Sequence, residues 1–116
     1  MPDKIFIDSI NDIYNSIKYI KDFTADLDFN QFEEDFKTQY AVIRCFEIIG
    51  EAVKRLPEIF REEYPDVPWQ VMAGMRDRLI HGYDMVDVGI LWRTIKADIM
   101  PLFEQILKIR KVLLND

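Results

Sequence analysis

Apolar residues recur along this chain at intervals of three and four, the period of one helix face rather than of a strand. In the first segment, from about residue 3 to 26, Ile10, Ile13, Ile17 and Ile20, extended by Phe23, fall on one face. A polar break follows at Asp26, Asp28 and Asn30, with Asn30 placed to cap the next helix. That helix is predicted from about 30 to 56, its buried stripe marked by Val42, Phe46, Ile49, Val53 and Leu56. Pro57 opens a short helix over 58–64, since proline is tolerated in a first turn. The stretch Tyr64-Pro65-Asp66-Val67-Pro68 is predicted to be a loop, because each residue before a proline is pushed out of the helical region. A third long helix covers 69–81, with Gly82 placed to end it. Asp87 then caps a last helix with an apolar stripe from Val88 through Leu91, Ile95, Ile99 and Ile106 to Leu113. Pro101 lies inside that helix and should kink it, since it removes one backbone bond and crowds the carbonyl of Ala97. The expected fold is all-α, an antiparallel up-and-down bundle of four main helices plus one short helix. No linker, repeat or low-complexity tract interrupts it, so residues 1–116 are expected to form a single domain.

Composition changes this picture only in a few places. Of 116 residues, 49% are apolar, enough for a core without staples, although at this length a lone bundle has a modest margin. Pairing with a second copy would bury more. The single cysteine, Cys45, lies among Val42, Ile43 and Phe46 and reads as a packing residue. One thiol excludes an intramolecular disulfide and suits a reducing cytoplasm, the expected location. No apolar run is long enough to span a membrane, and Met1-Pro2-Asp3-Lys4 lacks the basic start of a signal peptide. The formal net charge of −6 is opposite to that of a non-specific nucleic-acid binder. Any handling of RNA would need a local basic pocket or a partner. The acidic run Glu33-Glu34-Asp35 is expected to be a solvated helix start favoured by the helix dipole. Trp69 and Trp92 read as core or interface anchors.

The segment that carries chemistry is Met75-Arg76-Asp77-Arg78-Leu79-Ile80-His81-Gly82-Tyr83-Asp84-Met85-Val86-Asp87. It holds the only histidine in the chain, so imidazole chemistry near neutral pH resides at His81 or nowhere. A lone histidine near a helix C-terminus is often just a favourable partner for the dipole. At about 100° per residue, Trp69, Met72, Met75, Leu79 and Ile80 face the bundle. His81 falls on nearly the opposite side, in a stripe with Gln70, Gly74 and Asp77. Gly74 costs roughly 1 kcal/mol in mid-helix relative to alanine. Its outward position makes sense where another backbone packs, a second copy being the simplest candidate. Asp77, four residues before His81, is placed to orient the ring or raise its pKa.

Arg76 falls within the apolar arc, an odd place for a cation. Either it forms a buried ion pair with Glu47 or Glu51 of the neighbouring helix, or packing holds its guanidinium at a cleft, ready for a phosphate. On an ideal helix Arg76 and His81 point about 140° apart. To serve one phosphate, the arginine must curl, the helix must distort near Gly82, or two protomers must share the site. One histidine and one cysteine do not make a zinc site, and no glycine-rich phosphate loop occurs. No cofactor is expected.

Arg-x4-His-x-Tyr, as Arg76, His81 and Tyr83, followed by Val86-Asp87, resembles the signature of HepT-like proteins in the HEPN superfamily. The stretch Ile48-Ile49-Gly50-Glu51-Ala52-Val53-Lys54-Arg55-Leu56-Pro57 is similar to that family's second-helix segment. With the helix layout, the resemblance covers nearly the whole chain. Members often carry Asn after the arginine, where this chain has Asp77. The resemblance implies a metal-independent ribonuclease acting as a dimer, with Arg76 and His81 catalytic at the dimer cleft. It also implies a toxin–antitoxin pair, in which a small nucleotidyltransferase of the MntA type adds AMP to Tyr83. In such chemistry the 2′-OH of RNA attacks the adjacent phosphorus. His81 would move protons and Arg76 would stabilise the phosphorane oxygens. Arg78 would add a phosphate contact unless it is a plain surface charge. With one imidazole per chain, a two-histidine scheme requires two copies. The competing expectation is a non-catalytic binding or scaffold subunit of a two-component nucleotidyltransferase, which the acidic net charge suits.

Overall fold

The computed structural model describes residues 4–81 and 85–115, with backbone alone at 79–81 and 85. The fold is all-α. The first helix, α1 (Lys4–Thr24), buries Ile10, Ile13, Ile17 and Ile20, as its spacing predicts. Phe23 departs from that stripe: it is exposed and stacks on Tyr19 with ring centroids 5.9 Å apart. The buried Thr24 hydroxyl donates to the carbonyl of Ile20 at 2.8 Å, closing the last turn on itself.

The segment expected as one helix over 30–56 is two. Helix α2 (Phe29–Glu34) is capped by Asp28 and not by Asn30, which lies inside it. Asp28 accepts from the Gln31 amide at 2.8 Å, while its own amide donates to Gln31 Oε1 at 2.9 Å, a reciprocal capping box. Asp35 then stops α2 and starts α3 (Phe36–Arg55), accepting from the Thr38 amide at 3.0 Å and the Thr38 hydroxyl at 2.7 Å. These bonds favour the ionised carboxylate and hold the Asp35 pKa below its ordinary value. The buried Gln39 amide nitrogen donates to the carbonyls of Phe32 and Glu33 in the last turn of α2, where Phe32 also accepts from the Asp35 amide at 3.1 Å. Side chains on both flanks thus supply the bonds that the interruption removes. The acidic run is therefore not a helix start: Glu33 and Glu34 close α2, and Asp35 alone caps α3.

Pro57 takes the N-cap position of the short α4 (Glu58–Glu62), and the predicted loop follows. Trp69, buried at the start of α5 (Trp69–Leu79), donates its indole N–H to the carbonyls of Arg61 and Tyr64 and so ties down that loop. Helix α5 ends at Leu79, two residues before the expected end. The backbone continues as strand β1 (Ile80–His81), paired antiparallel with β2 (Met85–Val86), Ile80 opposite Val86 and His81 opposite Met85. Asp87 caps α6 (Val88–Thr94), accepting from the Ile90 amide at 3.0 Å, as expected. The expected last helix is one unbroken helical run, in which α6 passes through a π-helical turn (Ile95–Ile99) into α7 (Met100–Asn115), with Pro101 in the first turn of α7. Proline has no N–H to give a carbonyl four residues back, and a wider turn just before it accommodates the defect.

Helix α1 packs on α3 and α7, and α3 packs on α5. Phe46, Ile49 and Val53 of α3, Met72 and Met75 of α5, and Leu91, Ile95 and Ile99 complete one continuous core with the α1 isoleucines. Each such side chain, fully buried, contributes about 1.5–3 kcal/mol. Trp92 is half-buried against Phe32, centroids 5.0 Å apart, with the Lys96 ammonium 4.6 Å above its ring. Among the described residues no helix is long and apolar enough to cross a membrane.

The α3–α5 contact is tight at Gly50, where an added Cβ would lie 3.1 Å from the backbone carbonyl oxygen of Ala73. Gly50→Val should therefore pry the two helices apart. The expected cost is about 1–3 kcal/mol, the usual range for overpacking. It is checked as a lower urea midpoint at unchanged slope.

Candidate active site

Helices α3 and α5 run antiparallel across the Gly50–Ala73 contact, so one turn from Gly50 toward the start of α3 lies opposite one turn onward in α5. That step brings Glu47 to Arg76. The Arg76 Nε lies 3.4 Å from Glu47 Oε2, and its Nη1 donates to Asp77 Oδ1 at 3.4 Å. Beside them lies an open groove of about 230 Å³, floored by Gly50 and Ala73 and edged by Glu51 and Lys54. Arg44 faces the same carboxylates, its Nη1 3.8 Å from Glu47 Oε1 and 3.9 Å from Glu51 Oε1.

The ion-pair expectation for Arg76 is met in part. It pairs with Glu47, one of the two carboxylates anticipated, yet the pair is not buried: the Arg76 side chain is 46% exposed. The wheel position was apolar, but the neighbour it meets is the polar flank of α3 and not its apolar stripe. An ion pair so exposed is worth about 0–1 kcal/mol, too little to explain the arginine as a stabilising device. Its guanidinium stands at an open groove and, among the described residues, is met by Glu47 at Nε and Asp77 at Nη1.

Asp77 lines the groove and touches Arg76. Arg78 is exposed but does not line it, since two residues turn it about 200° from Arg76. The sequence reading missed Arg44 and Lys54. The only available signal was their helical spacing from Glu47 and Glu51, which ordinary surface charges share. Among the described residues around the groove, three cations (Arg44, Lys54, Arg76) balance three carboxylates (Glu47, Glu51, Asp77), on a chain of net charge −6. Cys45 is buried, and desolvation raises its thiol pKa, outweighing the opposite pull of Arg44. It takes no part in the groove. Among the described residues, no group of three or more His, Cys, Asp and Glu is placed to hold a metal ion.

Because α5 gives way to β1 at Ile80, the ideal-helix separation of about 140° does not apply to His81. The His81 side chain and Tyr83 lie outside the described residues. Gly74 sits on the open side of α5, with no described atom within 4 Å of where a Cβ would stand.

The class defined so far is a small all-α bundle with a cation-bearing groove beside a helix end. Residues 13–109 match the family model described as ribonuclease HepT-like. A Thermococcus cleftensis protein named "Probable ribonuclease HepT" is 49% identical over 104 residues, covering 90% of this chain and 94% of that protein. Two Methanocaldococcus jannaschii proteins, each named a putative RNase, are 45% and 51% identical, covering 83% and 79% of this chain and 88% and 76% of their own. The chain belongs to the HepT-like ribonuclease family. No solved structure matches it.

Since the Arg76 ion pair is half-exposed, Arg76→Ala should change the unfolding free energy by no more than about 1 kcal/mol. Urea titration checks this, and it separates any loss of activity in that variant from loss of fold.

Proposed function

We propose that this chain is an endoribonuclease that cuts RNA without a metal and serves as the toxin of a toxin–antitoxin pair. The observation that carries the reading is Arg76, half-exposed at the groove mouth, with the backbone leaving α5 between it and His81. Membership of a ribonuclease family supports it. In the proposed reaction the RNA 2′-oxygen attacks the adjacent phosphorus and its proton passes to the His81 imidazole. The 5′-oxygen leaves and takes up a proton, giving a 2′,3′-cyclic phosphate and a 5′-OH end. The nucleophile belongs to the substrate, so no metal-bound water is needed. Arg76 meets the charge that builds on the phosphorane oxygens. Asp77, beside Arg76, and Arg78, on the far face, are at most supporting groups.

The acting species in this reading is a cytoplasmic homodimer of single-domain chains. Two observations favour it: one histidine per chain, where general acid and base are both required, and the open side of Gly74. Cleavage should persist in EDTA and leave the cyclic phosphate or its opened product. His81→Ala and Arg76→Ala should each slow it by roughly 10²–10⁴-fold, the range for a positioned acid–base group. Strict dependence on added Mg²⁺, or full activity of His81→Ala, would overturn the reading. Failure of the folded wild-type protein to cut any RNA would favour a non-catalytic subunit of a nucleotidyltransferase.

Tyr83, two residues beyond His81, is the proposed site of neutralisation by a small nucleotidyltransferase antitoxin. AMP on its hydroxyl would add a negative phosphate to the segment that carries His81, to compete with substrate for the cations of the site. After co-expression with such an enzyme, intact-mass spectrometry should show AMP increments mapping to Tyr83, together with loss of cleavage. Tyr83→Phe should escape both. Neutralisation of unmodified protein in a tight complex would show occlusion instead.

A further inference from the structure

An arginine that must meet a phosphorane is useful only if its fork is held in one place, and arginine carries about 2 kcal/mol of rotamer entropy to be restrained. Among the described residues, three carboxylates share the groove with Arg76, and they differ in what they offer. Asp77 is the next residue on the same helix and 77% exposed, so it adds no tie to the rest of the bundle. Glu51 lies 3.9 Å from Arg44. Glu47 is the least exposed of the three, at 33%, and it stands on the opposite helix. Its Oε2 is 3.4 Å from Arg76 Nε, and Arg44 approaches its other oxygen at 3.8 Å. The distance between the two helices at this level is set by Gly50 against the Ala73 backbone, one turn away.

We propose that Glu47 is a positioning residue that holds Arg76 by its Nε edge, leaving the Nη2 end of the guanidinium for a substrate phosphate. The inference rests on the reading of Arg76 as the phosphate-binding group. Arg44, on the same helix as Glu47, approaches its other oxygen at 3.8 Å, and Glu47 carries the tie from α3 to Arg76 on α5. The arrangement also has a cost for binding. A carboxylate this near the phosphate site repels the substrate in the ground state, where RNA is already anionic. Removing its charge should loosen Arg76 and at the same time attract RNA more strongly.

That pair of effects gives a kinetic signature that a structural role would not produce. Glu47→Gln keeps the shape of the side chain and removes its charge. Its kcat for RNA cleavage should fall by about 10- to 100-fold, the scale for a misplaced catalytic group. Its KM should fall as well, and its urea midpoint should stay at the wild-type value. Glu47→Ala should do the same, since charge and not packing is lost. In an Arg76→Ala background, Glu47→Gln should have no further effect on kcat, because the group it positions is gone. An unchanged kcat in Glu47→Gln, or an equal loss in both backgrounds, would overturn the positioning role while leaving the ribonuclease reading intact. Wild-type cleavage by Arg76→Ala would instead sink the role of Arg76 itself, and this inference with it.

Discussion

The close approach of α3 to α5, with Gly50 set against the Ala73 carbonyl oxygen, is the constraint on which the rest of the groove depends. Helices usually pack 8–10 Å apart, at a distance set by the side chains at the contact. Here one partner has no side chain at the crossing. Everything one turn away is then drawn together: Glu47 reaches Arg76 across the gap, and Lys54 and Glu51 edge the same opening. The antiparallel course of the two helices decides which residues those are. The apolar residues beside the crossing, Phe46, Ile49, Met72 and Met75, bury the opposite faces and keep the crossing where it is.

Charge in this molecule follows position more than sum. The chain carries six more acidic than basic groups, yet the described residues around the groove balance. Their ion pairs are half-exposed and span 3.4–3.9 Å, so they contribute little to stability. What they do is orient. A guanidinium held by a carboxylate on a second helix moves with the bundle, while one held only by its own helix moves with its own rotamers.

Helix ends do comparable work elsewhere. At Asp35 the backbone gives up helical bonds between α2 and α3, and Thr38, Gln39 and the aspartate itself supply replacements. At Pro101 the missing donor is absorbed by a π-helical turn. At Ile80 the chain leaves α5 for a two-residue antiparallel pairing with Met85–Val86. The last of these matters most for chemistry. It frees His81 from the fixed angular offset that a continuous helix would impose on it relative to Arg76.

Much of this was readable from residue order alone. The apolar spacing marks the buried faces of α1, α3 and the last helix, Asp87 marks a start, and Pro65 and Pro68 mark a loop. The one histidine, five residues after an arginine, marks where chemistry is possible. Periodicity reports which face of a helix is apolar, because that depends only on local geometry. It does not report which residues of another helix that face will meet. So Arg76 read as a cation on a buried arc, although its neighbour is the polar flank of α3, and Arg44 and Lys54 looked like ordinary surface charges. Cap positions were ambiguous for a related reason. Asp28 and Asn30 are both good caps of nearly equal local merit, and a further break at Asp35 depends on Gln39 reaching back to α2. Residue order determined the helices and their faces, and packing between helices decided where two of them end and which charges share the groove.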